Sequence, residues 1–318
     1  MQKNNINKVI LITGAAGFIG SMVAKSFLDK GFNVLSIDNF STGLKSNVPN
    51  GVDVIEGDVG DENIIKELLN YKIDGIIHIA GQSSGQISFE NPVYDFKTNA
   101  LSTLLLLKYA VAAGVKIFLY ASSMSVYGNL THLPARENSI TVPESIYAVG
   151  KLASEQYLRI FSQKGIQTTA LRLFNVYGPG QNLSNLKQGM LSIYLAQALY
   201  SKEVIVKGTK DRYRDFVYID DVVEAFSLLY FNDQQNPFAL YNVCSGKPKT
   251  VDELLEKIEH AINLKLKRKF TDGIIGDQFG IYGDFSRLKQ DTGWQPSISF
   301  TTGLNNMIVW AKNMKQRK

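Results

Sequence analysis

Residues 9–20 read VILITGAAGFIG. The first five are aliphatic or β-branched and lie between polar residues and a glycine, which predicts a buried parallel strand over Val9–Thr13. Beyond the turn, Phe18, Val23, Phe27 and Leu28 recur at helical spacing, and Gly31 supplies the stop. Gly14, Gly17 and Gly20 therefore stand between a first strand and a first helix. A tight turn needs a residue without a β-carbon, a helix N-terminus offers unpaired N–H groups to an anion, and close helix–strand packing needs a third small residue. A glycine triplet alone is a weak signal, but at this position it marks a pyrophosphate site.

Working outward, strand patterns recur at 33–37, 52–56, 75–80, 116–121 and 168–172, with helical patterns at 62–70, 94–113 and 147–163. This alternation predicts an α/β chain built on a Rossmann-type doubly wound parallel sheet. Helical patterning resumes at 191–200, 222–231 and 251–262, with short strand-like runs at 204–206, 216–218 and 240–243. We expect a dinucleotide-binding domain over 1–175, to which later elements near 213–245 return. Residues 176–318 are expected to form mainly a smaller C-terminal α/β substrate lobe.

The bulk properties narrow the function. The 318 residues carry a net charge of +5 and are 45% hydrophobic, which fits a globular enzyme of anionic small molecules and does not call for a nucleic-acid partner. Cys244 is the only cysteine, so neither an intrachain disulfide nor a thiolate zinc cluster can form, and a reducing, cytoplasmic setting is the expectation. The polar residues 1–8 lead into an apolar run too short for a signal core or a membrane span, and the basic stretch 312–318 reads as a solvated helix end. His78, in a strand-end run, reads as a packed, hydrogen-bonded residue, and no histidine–carboxylate group has metal spacing.

Asp38 ends the second strand, about twenty residues beyond the glycines. A carboxylate there accepts hydrogen bonds from ribose hydroxyls and repels a 2′-phosphate, and Asn39 follows with no arginine beside it. NAD is therefore expected over NADP. Asp58 and Val59 follow the third strand, where they meet an adenine or simply punctuate a turn.

Three further features bear on the chemistry. Residues 121–128 read ASSMSVYG, Tyr147 and Lys151 are spaced YxxxK, and residues 171–180 read LRLFNVYGPG. Tyrosine and lysine at i and i+4 share one helix face. A phenol ionises near pH ~10 in water, and a neighbouring ammonium favours the phenolate. Such a tyrosine can take a hydroxyl proton while a hydride leaves for a nicotinamide, with a Ser or Thr hydroxyl holding the same oxygen.

On these motifs the chain resembles the extended short-chain dehydrogenase/reductase family, in its nucleotide-sugar epimerase and dehydratase group and closest to the 4-epimerase branch. The resemblance runs from TGAAGFIG at 13–20 through RDFVYIDDV at 214–222 and YNVCSG at 241–246 to Gly293-Trp294. It implies Ser123, Tyr147 and Lys151 as catalytic residues. Cofactor contacts are implied at Gly14, Gly17, Phe18, Ile19, Gly20, Asp38, Asn39, Asp58, Val59, Ala80, Gly81, Tyr147 and Lys151. On the substrate side it implies Asn175, Arg214, Ser123 and Ser88, with 82–84 nearby, and a nucleotide-diphosphate sugar as the ligand. Tyr127 reads as packing beneath the site. Apolar helices near 101–113 and 152–161 imply a homodimer.

Dehydratases of the family carry Asp-Glu where this chain has Met124 and Ser125, neither of which can replace that acid and base. The expected reaction is therefore epimerisation at C4 through a transient 4-keto sugar. A net oxidoreductase using the same three residues is the alternative; a 4,6-dehydratase or a non-catalytic NAD-binding protein is a weaker reading. Two departures leave the sugar open. Residues 272–279 lack the family's second diphosphate-binding arginine, for which Arg212, Lys267 or Arg268 could substitute, and Gln86 stands where many relatives have arginine.

Overall fold

The computed structural model describes residues 7–187, 189–232, 236–273 and 278–316. Part of the arginine-poor stretch, 274–277, and the chain's last two residues lie outside them. In chain order, β1 (Val9–Thr13), α1 (Phe18–Asp29), β2 (Asn33–Asp38), β3 (Val52–Glu56), α2 (Glu62–Glu67) and β4 (Gly75–His78) form the first half of the nucleotide-type unit. Then come α3 (Gly85–Glu90), α4 (Pro92–Phe96), a π-helical turn (Lys97–Leu101), α5 (Ser102–Ala113), β5 (Ile117–Ser123), α6 (Ile146–Ser162) and β6 (Gln167–Leu173). The remainder is β7 (Asn175–Tyr177), α7 (Met190–Tyr200), β8 (Glu203–Lys207), β9 (Tyr213–Tyr218), α8 (Ile219–Phe231), β10 (Phe238–Val243), β11 (Pro248–Thr250), α9 (Val251–Ile262), β12 (Lys267–Thr271), β13 (Gly280–Ile281), α10 (Ser286–Thr292) and α11 (Phe300–Gln316).

Seven of these strands pair in parallel in the order β10-β6-β5-β4-β1-β2-β3. Strand alternation divides the core between the two faces. Ile10 and Ile12 pack with Val23 and Phe27 of α1 and Phe226 and Leu229 of α8. Leu11 packs on the other side with Ile65, Leu106, Tyr109 and Leu158, from α2, α5 and α6. Side chains of period two feeding helices on both faces make the sheet doubly wound. The switch point lies between β1 and β4, so the open crevice falls at the C-terminal ends of those strands.

Three expectations are corrected. The strand at 213–218 does not return to the main sheet: β9 pairs with β7, β11 and β13 in a separate small sheet. The return begins only with α8, which packs beside α1, and β10, which extends the main sheet. The continuous helix expected over 94–113 is interrupted by the π-helical turn, a feature that period counting cannot register and one frequent at functional sites. Finally, β4 stops at His78, where the Ile79 amide turns to the Thr13 hydroxyl and the Ala80 amide is shared between the Thr13 hydroxyl and carbonyl.

α7, α9 and α11 surround a second apolar cluster with Leu195, Val204, Phe216, Leu254 and Met307. No helix among the described residues is long and apolar enough to cross a membrane.

Candidate active site

The glycine turn is held by close packing. Gly14 has φ +80°, and a β-carbon there would stand 3.0 Å from the Ala80 backbone. A β-carbon on Gly20 would stand 2.0 Å from the Gly14 carbonyl oxygen, so α1 can press onto β1 only with glycine there. Gly17 caps α1 without a side-chain hydrogen bond, which leaves the first helical N–H groups available to an anion.

Around this turn runs a cleft of about 360 Å³. Gly14, Gly17, Phe18, Ile19, Gly20, Asp38, Asn39, Asp58, Val59, Ala80 and Gly81 all line it, as do Ser123, Tyr147, Lys151 and Asn175. Asp38 is buried, and its two oxygens accept from the amides of Ala16 (2.8 Å) and Phe40 (2.9 Å). The carboxylate is thereby fixed against the turn with lone pairs left for further donors. Asn39 Nδ2 donates to Asp58 Oδ2 (3.1 Å), while Asp58 Oδ1 accepts from the Gly60 amide (2.8 Å). Asp58 thus both punctuates its turn and faces the cleft. An uncapped helix start, a fixed carboxylate and two strand-end glycines fit NAD, and the described lining sets no cation beside Asp38 for a 2′-phosphate.

Behind the cleft, His78 is fully buried. Ser102 Oγ donates to the Thr98 carbonyl (2.7 Å) and so accepts from His78 Nε2 (3.2 Å). Nδ1 is left to accept from Thr13 Oγ1 (2.8 Å), which itself accepts from the amides of Ile79 and Ala80, each at 3.1 Å. Burial lowers the imidazole's pKa to about 3, with Lys151 adding to the shift. A neutral histidine therefore anchors the backbone that lines the cleft at Ala80.

Ser123 ends β5, and its hydroxyl accepts from the Ser125 amide (3.2 Å). Ser145 caps α6 by accepting from the Ala148 amide (3.2 Å), which sets Tyr147 in the first turn and Lys151 one turn later. Lys151 Nζ donates to the Ala121 carbonyl (2.9 Å) and lies 5.8 Å from the centre of the Tyr147 ring. Burial pushes the Tyr147 phenol up to about 12, while the Ser123 hydroxyl pulls it down and Asp95 adds to the rise. Burial also brings Lys151 down to about 8, against the opposing pull of Asp95 and Glu155. The expected lowering of the phenol by the ammonium is not found: desolvation of the phenolate dominates, and the ammonium stands beside the ring with one of its N–H groups given to Ala121.

Glu155, one turn beyond Lys151, receives Ser122 Oγ (2.6 Å) and a two-pronged hydrogen bond from Arg172 (2.9 and 2.7 Å). Arg172 also lies over the Tyr127 ring, whose hydroxyl donates to Asn242 Oδ1 (2.7 Å). Tyr127 is accordingly a packed support under the site.

A second cavity of about 440 Å³ adjoins the first and shares Ser83, Met124, Ser125, Tyr147, Asn175 and Met190 with it. Arg214 lines its far end, nearly fully buried, with Nη1 donating to the Tyr213 carbonyl (2.8 Å) and Nη2 to that of Gln278 (2.6 Å). Of the three cations that could replace the missing arginine, only Arg212 lines the cavity. Lys267 is exposed and paired with Glu203 (3.1 Å), and Arg268 is taken up by Asp252 and Glu259. Gln86 lines the cavity, but Ser88 does not: α3 turns it inward, fully buried, with its hydroxyl on the Gly85 carbonyl (2.6 Å).

Residues 180–182 and 185–187 also line the two cavities, a contribution that sequence reading missed. They are held across the opening by Lys187 on Glu90 (3.0 Å) and by Ser84 Oγ on the Lys187 carbonyl (3.1 Å). The polar run GQNLSN at 180–185 is the signal that could have pointed to them.

Comparison with known proteins accords with this geometry. Residues 10–244 match the model of the NAD dependent epimerase/dehydratase family. The chain is 29% identical to a UDP-glucose 4-epimerase of Mycolicibacterium smegmatis, over 96% of this chain and 99% of that protein. It superposes on the UDP-glucose 4-epimerase of Thermotoga maritima, solved with UDP-glucose, with a TM-score of 0.92 and 30% identity, covering 96% of this chain and 99% of that one. A UDP-glucose 4-epimerase of Thermus thermophilus, solved with NAD, gives a TM-score of 0.89 at 30% identity, again over 96% and 99% of the two chains.

Proposed function

The chain belongs to the NAD dependent epimerase/dehydratase family, and on that footing we propose that it inverts C4 of a sugar carried on a nucleotide diphosphate. The observation that carries this reading is the placement of Tyr147 on the shared wall of the two cavities, with Ser123 and Lys151 beside it in the lining of the first. One cavity has the fixed Asp38 carboxylate and uncapped helix start suited to NAD; the other has Asn175, Arg212 and Arg214, suited to a diphosphate.

Tyr147 takes the C4 hydroxyl proton, Ser123 holds the same oxygen by a hydrogen bond, and Lys151 contributes positive charge behind both. NAD supplies, when bound, the acceptor and later the donor of the hydride. Burial holds the phenol up to about 12, so Tyr147 acts as base only in the minor fraction of sites where it has already lost its own proton to solvent, and the phenolate so formed is a strong acceptor for the hydroxyl proton. The flat 4-keto sugar then turns over beside Ser83, Ser84, Gly85 and Ser125, whose small side chains leave room, and Tyr147 returns the proton.

Met124 and Ser125 line this cavity where elimination of water would need an acid and a base. Glu144, the one carboxylate among its described lining residues, is engaged by Asn129 Nδ2 at 2.8 and 2.7 Å. Both features favour epimerisation over dehydration. The domain division extends the same reading: residues 1–175 with α8 and β10 serve the dinucleotide, and the rest serves mainly the sugar nucleotide. A homodimer is supported by Val93 and Phe96 on α4 and Val149 and Ile160 on α6, all exposed, while most of the apolar surplus of α5 is buried within the chain.

The test is incubation of the purified protein with UDP-glucose, UDP-N-acetylglucosamine and UDP-glucuronate, followed by separation of the products. A C4 epimer without net reduction of added NAD is expected. Stoichiometric turnover of added NAD would favour the net oxidoreductase, and no epimer from any sugar would overturn the proposal.

A further inference from the structure

Asp95, on α4, is fully buried and makes no ion pair among the described residues. Its Oδ1 accepts from Gln82 Nε2 (2.6 Å) and Asn99 Nδ2 (3.1 Å), whereas Oδ2, also buried, has no hydrogen-bond partner among the described residues. A buried carboxylate with an unserved oxygen is costly unless a positive charge lies near it. Oδ2 points at α6, where a β-carbon on Gly150 would lie 3.6 Å from it. Asn99, held by Asp95 and by the Gln82 carbonyl (2.9 Å), also carries an unpartnered buried acceptor, Oδ1. That atom and Lys151 Nζ both approach the β-carbon position of Gly81, at 2.6 and 3.5 Å. One unserved acceptor, Asn99 Oδ1, thus shares the Gly81 position with an ammonium that gives one of its three N–H groups to Ala121, and the other, Asp95 Oδ2, faces the residue that precedes Lys151 on α6.

We propose that Asp95 is a positioning residue for the reaction: its carboxylate is the counter-charge that keeps Lys151 an ammonium and draws it toward Gly81. The other groups facing Lys151 take a lesser part or none. Glu155, on its own helix, also pulls the Lys151 pKa up, but less than Asp95, and is itself engaged by the two-pronged hydrogen bond from Arg172 of β6. His78 of β4 is neutral, and Tyr120 of β5, whose ring centre lies 4.8 Å from Nζ, is held un-ionised by burial. Tyr147 is likewise protonated at neutral pH. Asp95 is the foremost influence raising the Lys151 pKa, and Lys151 in turn pulls down the carboxyl of Asp95, which burial raises. The hydrogen bonds from Gln82 and Asn99 favour the ionised carboxylate, against burial, without cancelling its charge.

The link to catalysis rests on the proposed reaction, but the charge coupling is measurable without turnover. In protein carrying 13C-labelled lysine side chains, the Lys151 resonance, assigned by its loss in Lys151→Met, is titrated with pH. Asp95→Asn should lower its midpoint by about one pH unit, and the alkaline limb of the epimerase pH–rate profile should move the same way. A folded Asp95→Asn protein whose Lys151 midpoint stays put overturns the proposal. Reciprocal coupling guards against a variant that fails to fold. With 13C-labelled aspartate, Lys151→Met should raise the Asp95 midpoint, and an unmoved Asp95 would equally refute it.

Discussion

Lys151 Nζ donates to the Ala121 carbonyl at 2.9 Å, and this bond ties the one-turn Tyr147–Lys151 unit of α6 to the strand that ends in Ser123. The three side chains assigned to the chemistry therefore come from two elements locked together by a buried donor. Moving either element would separate the phenol from the hydroxyl that shares its substrate oxygen.

Removing the phenolic oxygen should stop the reaction and leave the fold intact. Tyr147→Phe is expected to lower kcat by about 10²–10⁴-fold, the usual worth of a positioned acid–base group, with NAD affinity changed far less. Stopped assays and equilibrium dialysis with NAD measure the two effects. Full activity in this variant would remove Tyr147 from the mechanism.

The glycine turn should tolerate no β-carbon at its third position. In Gly20→Ala the new atom would meet the Gly14 carbonyl oxygen at 2.0 Å, forcing α1 away from β1. A loss of about 1–3 kcal/mol is expected, together with weakened NAD binding, both visible in urea titrations with and without NAD.

Acid sensitivity should originate in part at His78. Its pKa falls from 6.5 to about 3 on folding, so the unfolded chain binds a proton that the folded one refuses. The resulting stability is present above pH 6.5 and is lost as the pH falls from 6.5 toward 3. By pH ~4.5 the loss from this residue amounts to roughly 3 kcal/mol. Urea midpoints at neutral pH and at pH ~4.5 should differ less in His78→Gln than in the wild type. An identical pH dependence in the two proteins would contradict the assignment.

Arg212 and Lys267 separate by their placement. Arg212→Met should raise KM for the nucleotide sugar by about tenfold or more, the worth of a charge-assisted hydrogen bond. Lys267→Met, on an exposed pair with Glu203, should leave KM unchanged. Equal effects would mean that Arg212 has no special part in holding the diphosphate.

Much of this was legible in the sequence, because the signals were local and periodic. Residues 9–20 announce strand, turn and helix within twelve positions, and YxxxK is one helical turn written out. What escaped depends on contacts across long separations. The inward turn of Ser88 is set by α3, a six-residue helix too short to show a period. The separate sheet of β9 is decided by β7, β11 and β13, strands of three residues or fewer that carry almost no pattern. The pairing of Asp95 with Gln82 and Asn99 arises only where the π-helical turn meets the strand-end loop. The raised phenol pKa of Tyr147 reflects burial by the whole fold, and no spacing rule reports it.

The central claim is that hydride leaves C4 and returns to the same carbon on the opposite face without escaping the site. It is tested most directly with a nucleotide sugar carrying deuterium at C4. The account predicts an epimerised product that keeps the deuterium on C4. Epimer in which the deuterium has been replaced from solvent would contradict it.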